Sequence, residues 1–349
     1  MSAGNWALDA AHQISEDCVK HRNYCRVLDS IVNAFSIAQP GEVVVVVGPS
    51  RVGKSRAVEK AVKRLVRPRD GVHERPFVVL QAENASTQGA FSTKAFMQGL
   101  CRAIDHPIYG VAEPDDPWGT RVSARVNRTP ESVLRDAVEH GLLLLRTRFL
   151  IIDEAHHVGY AGRSSANALA VLDSWKCLAH KTSTVLCLVG SYQLLHILAH
   201  APHLLGRQRL IEFPRYLSKE PEDIKAFAHV LEAWSSRMRF ERADETLQSW
   251  LKVVFTHSFG CVGHLSKWLR SALGEASAGN LAGISEDLLL RTRHPASQEA
   301  AIAAEIEAGE QAMSILRPVA AEARSPSNPT TRGKPFQRRT RRFEIQGRN

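Results

Sequence analysis

Short unbroken apolar runs alternate with longer stretches of helical periodicity along the first two thirds of the chain. Residues 5 to 39 repeat apolar positions at helical spacing (Tyr24, Val27, Leu28, Ile31, Phe35) and stop at Pro40-Gly41. Val43 to Val47 are five consecutive valines bounded by Gly41 and Gly48-Pro49. A β-branched run without alternation predicts a parallel strand covered on both faces. Similar runs follow at Phe77 to Leu80, Phe149 to Ile152, Val185 to Val189 and, more weakly, Leu210 to Phe213. Between them lie helical patterns at Ser55 to Val66, Thr93 to Ile104, Pro130 to Leu145 and Ala166 to His180. Strands separated by helix-length segments predict an α/β doubly wound sheet.

From Pro221 the pattern changes to helices alone, at Glu222 to Phe240, Asp244 to Phe255 and Val262 to Leu273, with an Ala/Glu-rich helix near Ser297 to Leu316. The expected organisation is a helical segment over 1–40, an α/β domain over 41–216, a small all-helical domain over 217–292, a helix over 293–316 and a tail over 317–349. Residues 107 to 129, punctuated by Pro107, Gly110, Pro114, Pro117 and Gly119, read as a long irregular excursion.

Charge sharpens this division. The 349 residues carry a net charge of +9. From Arg317 onward nine basic residues face only Glu322 and Glu344, so +7 of that surplus sits in a Pro-, Ser- and Arg-rich tail expected to lack structure of its own. A concentrated cationic segment points to an anionic partner. The six cysteines form no C-x-x-C pair, which fits reduced core thiols and a cytoplasmic setting. Thr182 to Gly206 has no Asp, Glu, Lys or Arg, yet its Gly, Pro and three histidines are wrong for a membrane span.

The chemistry begins at Gly48-Pro49-Ser50-Arg51-Val52-Gly53-Lys54-Ser55, a complete G-x-x-x-x-G-K-[ST] between a predicted strand and a predicted helix. The glycines let the backbone curl so that its N–H groups face phosphate, and Lys54 adds a point charge. Ser55 offers a hydroxyl to Mg²⁺ at the start of a helix whose dipole favours the anion. The candidate cofactors are ATP and Mg²⁺. A second element, Phe149 to Glu154, is an apolar strand ending in two carboxylates. Asp153 is the expected Mg²⁺ holder and Glu154 the general base for an attacking water. His156 and His157 follow, but no H-E-x-x-H pattern or third ligand supports a zinc site.

Ser191, at the tip of the Val185 to Val189 run, is placed to sense the γ-phosphate. Arg207 and Arg209, just before the last strand, are candidates for a cation offered in trans to a neighbour's site. His21 to Leu28 precede the first strand and are positioned to cover a base.

These motifs, with Ile151-Ile152-Asp153-Glu154-Ala155-His156, Val189-Gly190-Ser191 and the helical segment after 217, resemble the AAA+ ATPases, and within them the TniB/TnsC transposition regulators, over about residues 15 to 290. Secretion ATPases of the ExeA type and origin-recognition ATPases share such boxes. The resemblance implies an ASCE-type P-loop NTPase with a five-stranded parallel sheet in 5-1-4-3-2 order and a helical lid. It further implies ATP-dependent homo-oligomers, ring or filament, around duplex DNA, and partnership with a DDE transposase and a TniQ-type target selector. One departure is the stretch Gly260-Cys261-Val262-Gly263-His264, where many lids carry a G-x-R arginine. Another is the tail, which has no counterpart in the family core.

Two groups of cations are candidates for DNA contact. Lys94, Arg102, Arg121, Arg125 and Arg128 lie between the second strand and the acidic one, and Arg338, Arg339, Arg341 and Arg342 cluster in the tail. Rival functions are a phosphotransferase using the same loop on a small substrate, and a binding module whose hydrolysis is incidental. A two-domain helicase is excluded, because the helical residues after Phe213 cannot supply a second RecA-like domain.

Overall fold

Five parallel strands form one sheet in the order β2-β3-β4-β1-β5. They are β1 (Val43–Val47), β2 (Phe77–Gln81), β3 (Phe149–Asp153), β4 (Val185–Gly190) and β5 (Gln208–Glu212). The computed structural model describes residues 5–16, 19–66, 74–83, 90–110, 128–161, 165–200 and 208–316. Arg207, Arg121, Arg125 and the tail arginines 338, 339, 341 and 342 lie outside them.

The three central strands β1, β3 and β4 are buried at every position, which is why their sequences lack alternation. β2 lies at the edge and alternates more. The last strand begins two residues before the predicted run, at Gln208, because its partner β1 pairs from Val43 with Gln208 through to Val47 with Glu212. Sheet pairing, not local hydrophobicity, sets its register.

Two cores sandwich the sheet. On one face Val44, Val46, Ile151 and Val189 pack with α2 (Arg22–Ile37) and α3 (Lys54–Leu65). On the other face Val43, Val45, Leu150 and Leu188 pack with α4 (Thr93–Ala103), α5 (Glu131–Leu144), α6 (Ser165–Lys181) and α7 (Gln193–Leu198).

The third core is helical. It joins α8 (Pro221–Ser235), α9 (Leu251–His257), α10 (Val262–Ala278) and α11 (Glu286–Arg291) to α1 (Asn5–Glu16), whose Ala7, Ala10 and Ile14 are all buried there. The N-terminal segment therefore divides, α1 going to the helical domain and α2 to the sheet. A final helix, α12 (Ala296–Leu316), returns from the helical domain to the sheet.

Two sequence expectations shift in this domain. Residues 244–250 form turns rather than the first half of a helix, because the Ser235 hydroxyl accepts the Leu247 N–H at 3.1 Å and the Thr246 and Ser249 side chains bond locally. α8 ends at Ser235 instead of Phe240, since Phe240 bridges to Ile284. Cys101, Cys187 and Cys261 are buried in core positions, and no helix among the described residues is long and apolar enough to cross a membrane.

Candidate nucleotide site

Parallel strands bring the ends of β1, β4 and β3 side by side. Val47 is level with Gly190, and Ile152 with Leu188, so the loop after β1 and the acids after β3 flank the tip of β4. This is the carboxyl edge of an open α/β sheet, where such folds bind ligands.

The loop after β1 is held by the chain that follows β5. Phe213 N–H donates to the Val47 carbonyl at 2.7 Å, and a Cβ on Gly48 would sit 2.4 Å from the Phe213 oxygen. Only glycine fits there. Arg51 (φ 61°) and Gly53 (φ 101°) take the left-handed conformation that curls the loop into the first turn of α3. Lys54 is buried, and its ammonium donates to the carbonyls of Gly48 at 3.1 Å and Pro49 at 2.8 Å. Burial pulls its pKa down, while Glu154, Asp153 and Glu305 oppose that shift. Ser55 is exposed on the first turn of α3.

Asp153 ends β3 and is buried, and its Oδ1 accepts the Glu154 N–H at 2.9 Å. Glu154 then turns left-handed (φ 50°) and leaves its side chain 46% exposed. Hydroxyl and carboxylate oxygens from Ser55 and Asp153 are the donor types that Mg²⁺ prefers.

The two histidines that follow brace the strand ends. His157 Nδ1 lies 2.7 Å from the Ala82 carbonyl and so carries the proton. His156 Nδ1 accepts the Ser191 N–H at 3.4 Å. Burial, reinforced by His157 and Lys54, drops the His156 pKa to about 4, so the ring is neutral at pH 7. Its 3.3 Å approach to Glu154 Oε2 is thus no ion pair at that pH. The described residues hold no cluster of His, Cys, Asp or Glu suited to a metal. Ser191 is buried, and its hydroxyl oxygen accepts the Gln193 N–H at 3.3 Å, which leaves the O–H to donate elsewhere.

The cations singled out by sequence scatter. Arg209 pairs level with Val44, three residues before the end of β1 and therefore about 10 Å from the loop at the usual strand rise. It faces Glu42 at 3.8 Å. Lys94 is half-buried on the first turn of α4, while Arg102 and Arg128 are exposed.

Two features escaped the sequence reading. α10 begins directly on the phosphate loop, for a Cβ on Gly263 would fall 1.7 Å from the Arg51 oxygen. Next to it His264 is 5% exposed with both ring nitrogens unpartnered among the described residues, and burial plus Arg51 and other nearby cations drop its pKa to about 4. A histidine two residues from a predicted helix start gave no signal of that burial. Beyond the loop a cavity of about 120 Å³ lies between the two domains, lined by His21, Tyr24, Arg51, Gly53, Trp234 and Ser266. His21 is buried, its Nδ1 lies 2.9 Å from the Tyr216 hydroxyl, and burial lowers its pKa to about 4.

The sheet order, the loop and the acidic strand end together define the AAA+ P-loop NTPase fold, with a helical domain over the loop. Residues 38–198 match the sequence profile of the family described as AAA domain. Among solved structures the chain is similar to the ORC2 protein of Aeropyrum pernix. Its ADPNP-ADP complexes match at 16% identity and a TM-score of 0.50 over 77% of this chain and 66% of that one. Its ADP form matches at 14% identity and a TM-score of 0.51 over 76% of this chain and 66% of that one. Drosophila ORC bound to DNA matches at 13% identity and a TM-score of 0.50, over 82% of this chain and 65% of that one. The chain therefore spans just under two thirds of the length of these proteins. No curated protein sequence matches it.

Proposed function

We propose that the protein is an ATPase that works as a nucleotide-switched scaffold on duplex DNA. The observation that carries this reading is the convergence of Lys54, Asp153 and Glu154 at adjoining strand ends beneath a helical domain. Lys54 exchanges its two loop carbonyls for the β- and γ-phosphates. Ser55 and Asp153 would hold Mg²⁺, which would supply the charge that neutralises the phosphates. Glu154, the exposed acid, takes the proton of the water that attacks the γ-phosphorus. The cavity beside His21 and Tyr24 receives the base. Ser191 reports the γ-phosphate to β4, and Arg207 or Arg209 acts on a neighbouring copy, since the latter is too far from its own loop.

The finer reading is a transposition regulator of the TniB/TnsC type, acting with a DDE transposase and a TniQ-type selector. It is supported by the Asp153-Glu154-Ala155-His156 box and Val189-Gly190-Ser191. An origin-recognition type of scaffold is the second reading, favoured by the fold likeness to ORC2 and to ORC bound to DNA. Both use DNA through Lys94, Arg121, Arg125 and the tail arginines 338, 339, 341 and 342.

Sedimentation velocity with random-sequence duplex DNA, with and without a slowly hydrolysed ATP analogue and Mg²⁺, tests the common part. A large DNA-bound species that needs nucleotide is the expected result. A monomer indifferent to nucleotide overturns the switch.

A further inference from the structure

The helix that returns from the helical domain to the sheet is acidic. α12 carries Glu299, Glu305, Glu307 and Glu310 and no Lys, Arg or His. Its apolar stripe is split between two cores. Ile302 and Ile306 join the one that holds Val52 of the phosphate loop, and Met313 and Leu316 join the one that holds Tyr192. Gly309 crosses the Tyr192 ring so closely that a Cβ there would lie 2.1 Å from ring carbon Cδ2. Tyr192 immediately follows Ser191, so α12 sits directly against the tip of β4.

The same helix grips the linker and the helical domain. Glu310 accepts from both Nε (2.7 Å) and Nη2 (3.1 Å) of Arg215, whose Nη1 donates to the Phe259 carbonyl at 3.3 Å. Arg215 stands in the short linker that joins β5 to α8. Towards its start, Glu299 meets His257 of α9 at 2.9 Å. A rotation of the helical domain about that linker cannot keep all of these contacts, because they anchor α12 on both sides of it.

We propose that α12 is an acidic strap that locks the helical domain against the sheet and opposes nucleotide binding until it is released. Two physical effects give it that direction. The contacts to Arg215, His257 and Tyr192 fix the angle between the domains. Glu305 also acts electrostatically on Lys54, the cation a polyanionic nucleotide would need. The second effect rests on the proposed nucleotide site, whereas the first does not.

The test uses the full chain and two variants. Glu310→Gln keeps the size of the side chain and removes the charge that pairs with Arg215. Gly309→Leu cannot seat against Tyr192. Without nucleotide, hydrogen exchange over residues 212–220 and 251–260 should quicken at least threefold in Glu310→Gln, at an unchanged exchange rate in β1 and β4. Exchange in these segments equal to wild type sinks the strap, whatever the protein binds. With a fluorescent ATP analogue, both variants should bind at least threefold more tightly than wild type. Weaker or equal binding in Glu310→Gln, with β1 and β4 still protected, makes α12 a part of the site and overturns its inhibitory direction. If wild type binds the analogue no better than Lys54→Ala does, the nucleotide reading fails on its own, and the exchange result still decides the strap.

Discussion

The Lys54 ammonium donates a 2.8 Å hydrogen bond to the carbonyl of Pro49, five residues earlier in the same loop. The cation is thus stored inside the loop, and in the proposed site its burial would make it a strong anion contact once a phosphate took the place of the carbonyls.

Replacing that cation should abolish tight nucleotide binding. Hydrogen bonds to charged groups are worth roughly 1.5–3 kcal/mol, so Lys54→Ala should weaken ATP about 10- to 150-fold in a fluorescence titration. Lys54→Arg should not restore it, because a planar guanidinium cannot follow the same buried path. Wild-type affinity in either variant would remove Lys54 from the site.

As the proposed general base, Glu154 should separate binding from hydrolysis. Its side chain is 46% exposed, so Glu154→Gln should leave the thermal midpoint nearly unchanged. Single-turnover phosphate release should fall by about 10²–10⁴, the usual contribution of a general base, while nucleotide is retained. Unaltered release would assign the proton to another group.

Acid should destabilise the protein through its buried imidazoles. His21, His156 and His264 each have a pKa lowered from 6.5 to about 4. Between those values the unfolded chain binds more protons than the folded one, so stability falls as pH drops. Each contributes a slope of about 1.4 kcal/mol per pH unit, and the effect vanishes above pH 6.5. Urea midpoints at pH 7.5, 6.0 and 5.0 should show it. His264→Leu should flatten the curve and raise stability at pH 5, since the ring it replaces has no hydrogen-bond partner among the described residues.

Two glycines should answer oppositely to alanine. Gly260 has φ 68°, and a Cβ there would lie 2.1 Å from the Tyr216 oxygen. Gly260→Ala should therefore cost about 1–3 kcal/mol by urea denaturation, and more if the backbone cannot shift. Gly274 lies inside α10 with nothing within 4 Å of a Cβ, so Gly274→Ala should stabilise by about 0.4–1 kcal/mol. Stabilisation by Gly260→Ala would mean that the linker contact at Tyr216 is not rigid.

The central strands were legible because a doubly covered strand must be apolar at every position, as Val43 to Val47 are. The phosphate loop was legible because backbone curvature demands glycine at Gly48 and Gly53. The helical domain was read less well. Residues 244–250 look helical by composition, but Ser235 takes the Leu247 N–H and turns the chain instead. α1 shows no local mark of which core it serves, and only its packing against α10 assigns it to the helical domain.

Sequence alone determined the sheet class, the phosphate loop and the paired acids, since each depends on residue types at fixed short spacing. Tertiary structure decided which distant groups meet there. Arg215 carries no local mark of its partner, yet Glu310, 95 residues later, binds it on two nitrogens. His264 ended buried without a hydrogen-bond partner among the described residues, and Arg209 ended away from its own loop at the far side of β1. Such pairings follow from long-range packing, which closes loops of many residues and leaves no periodic trace in the chain.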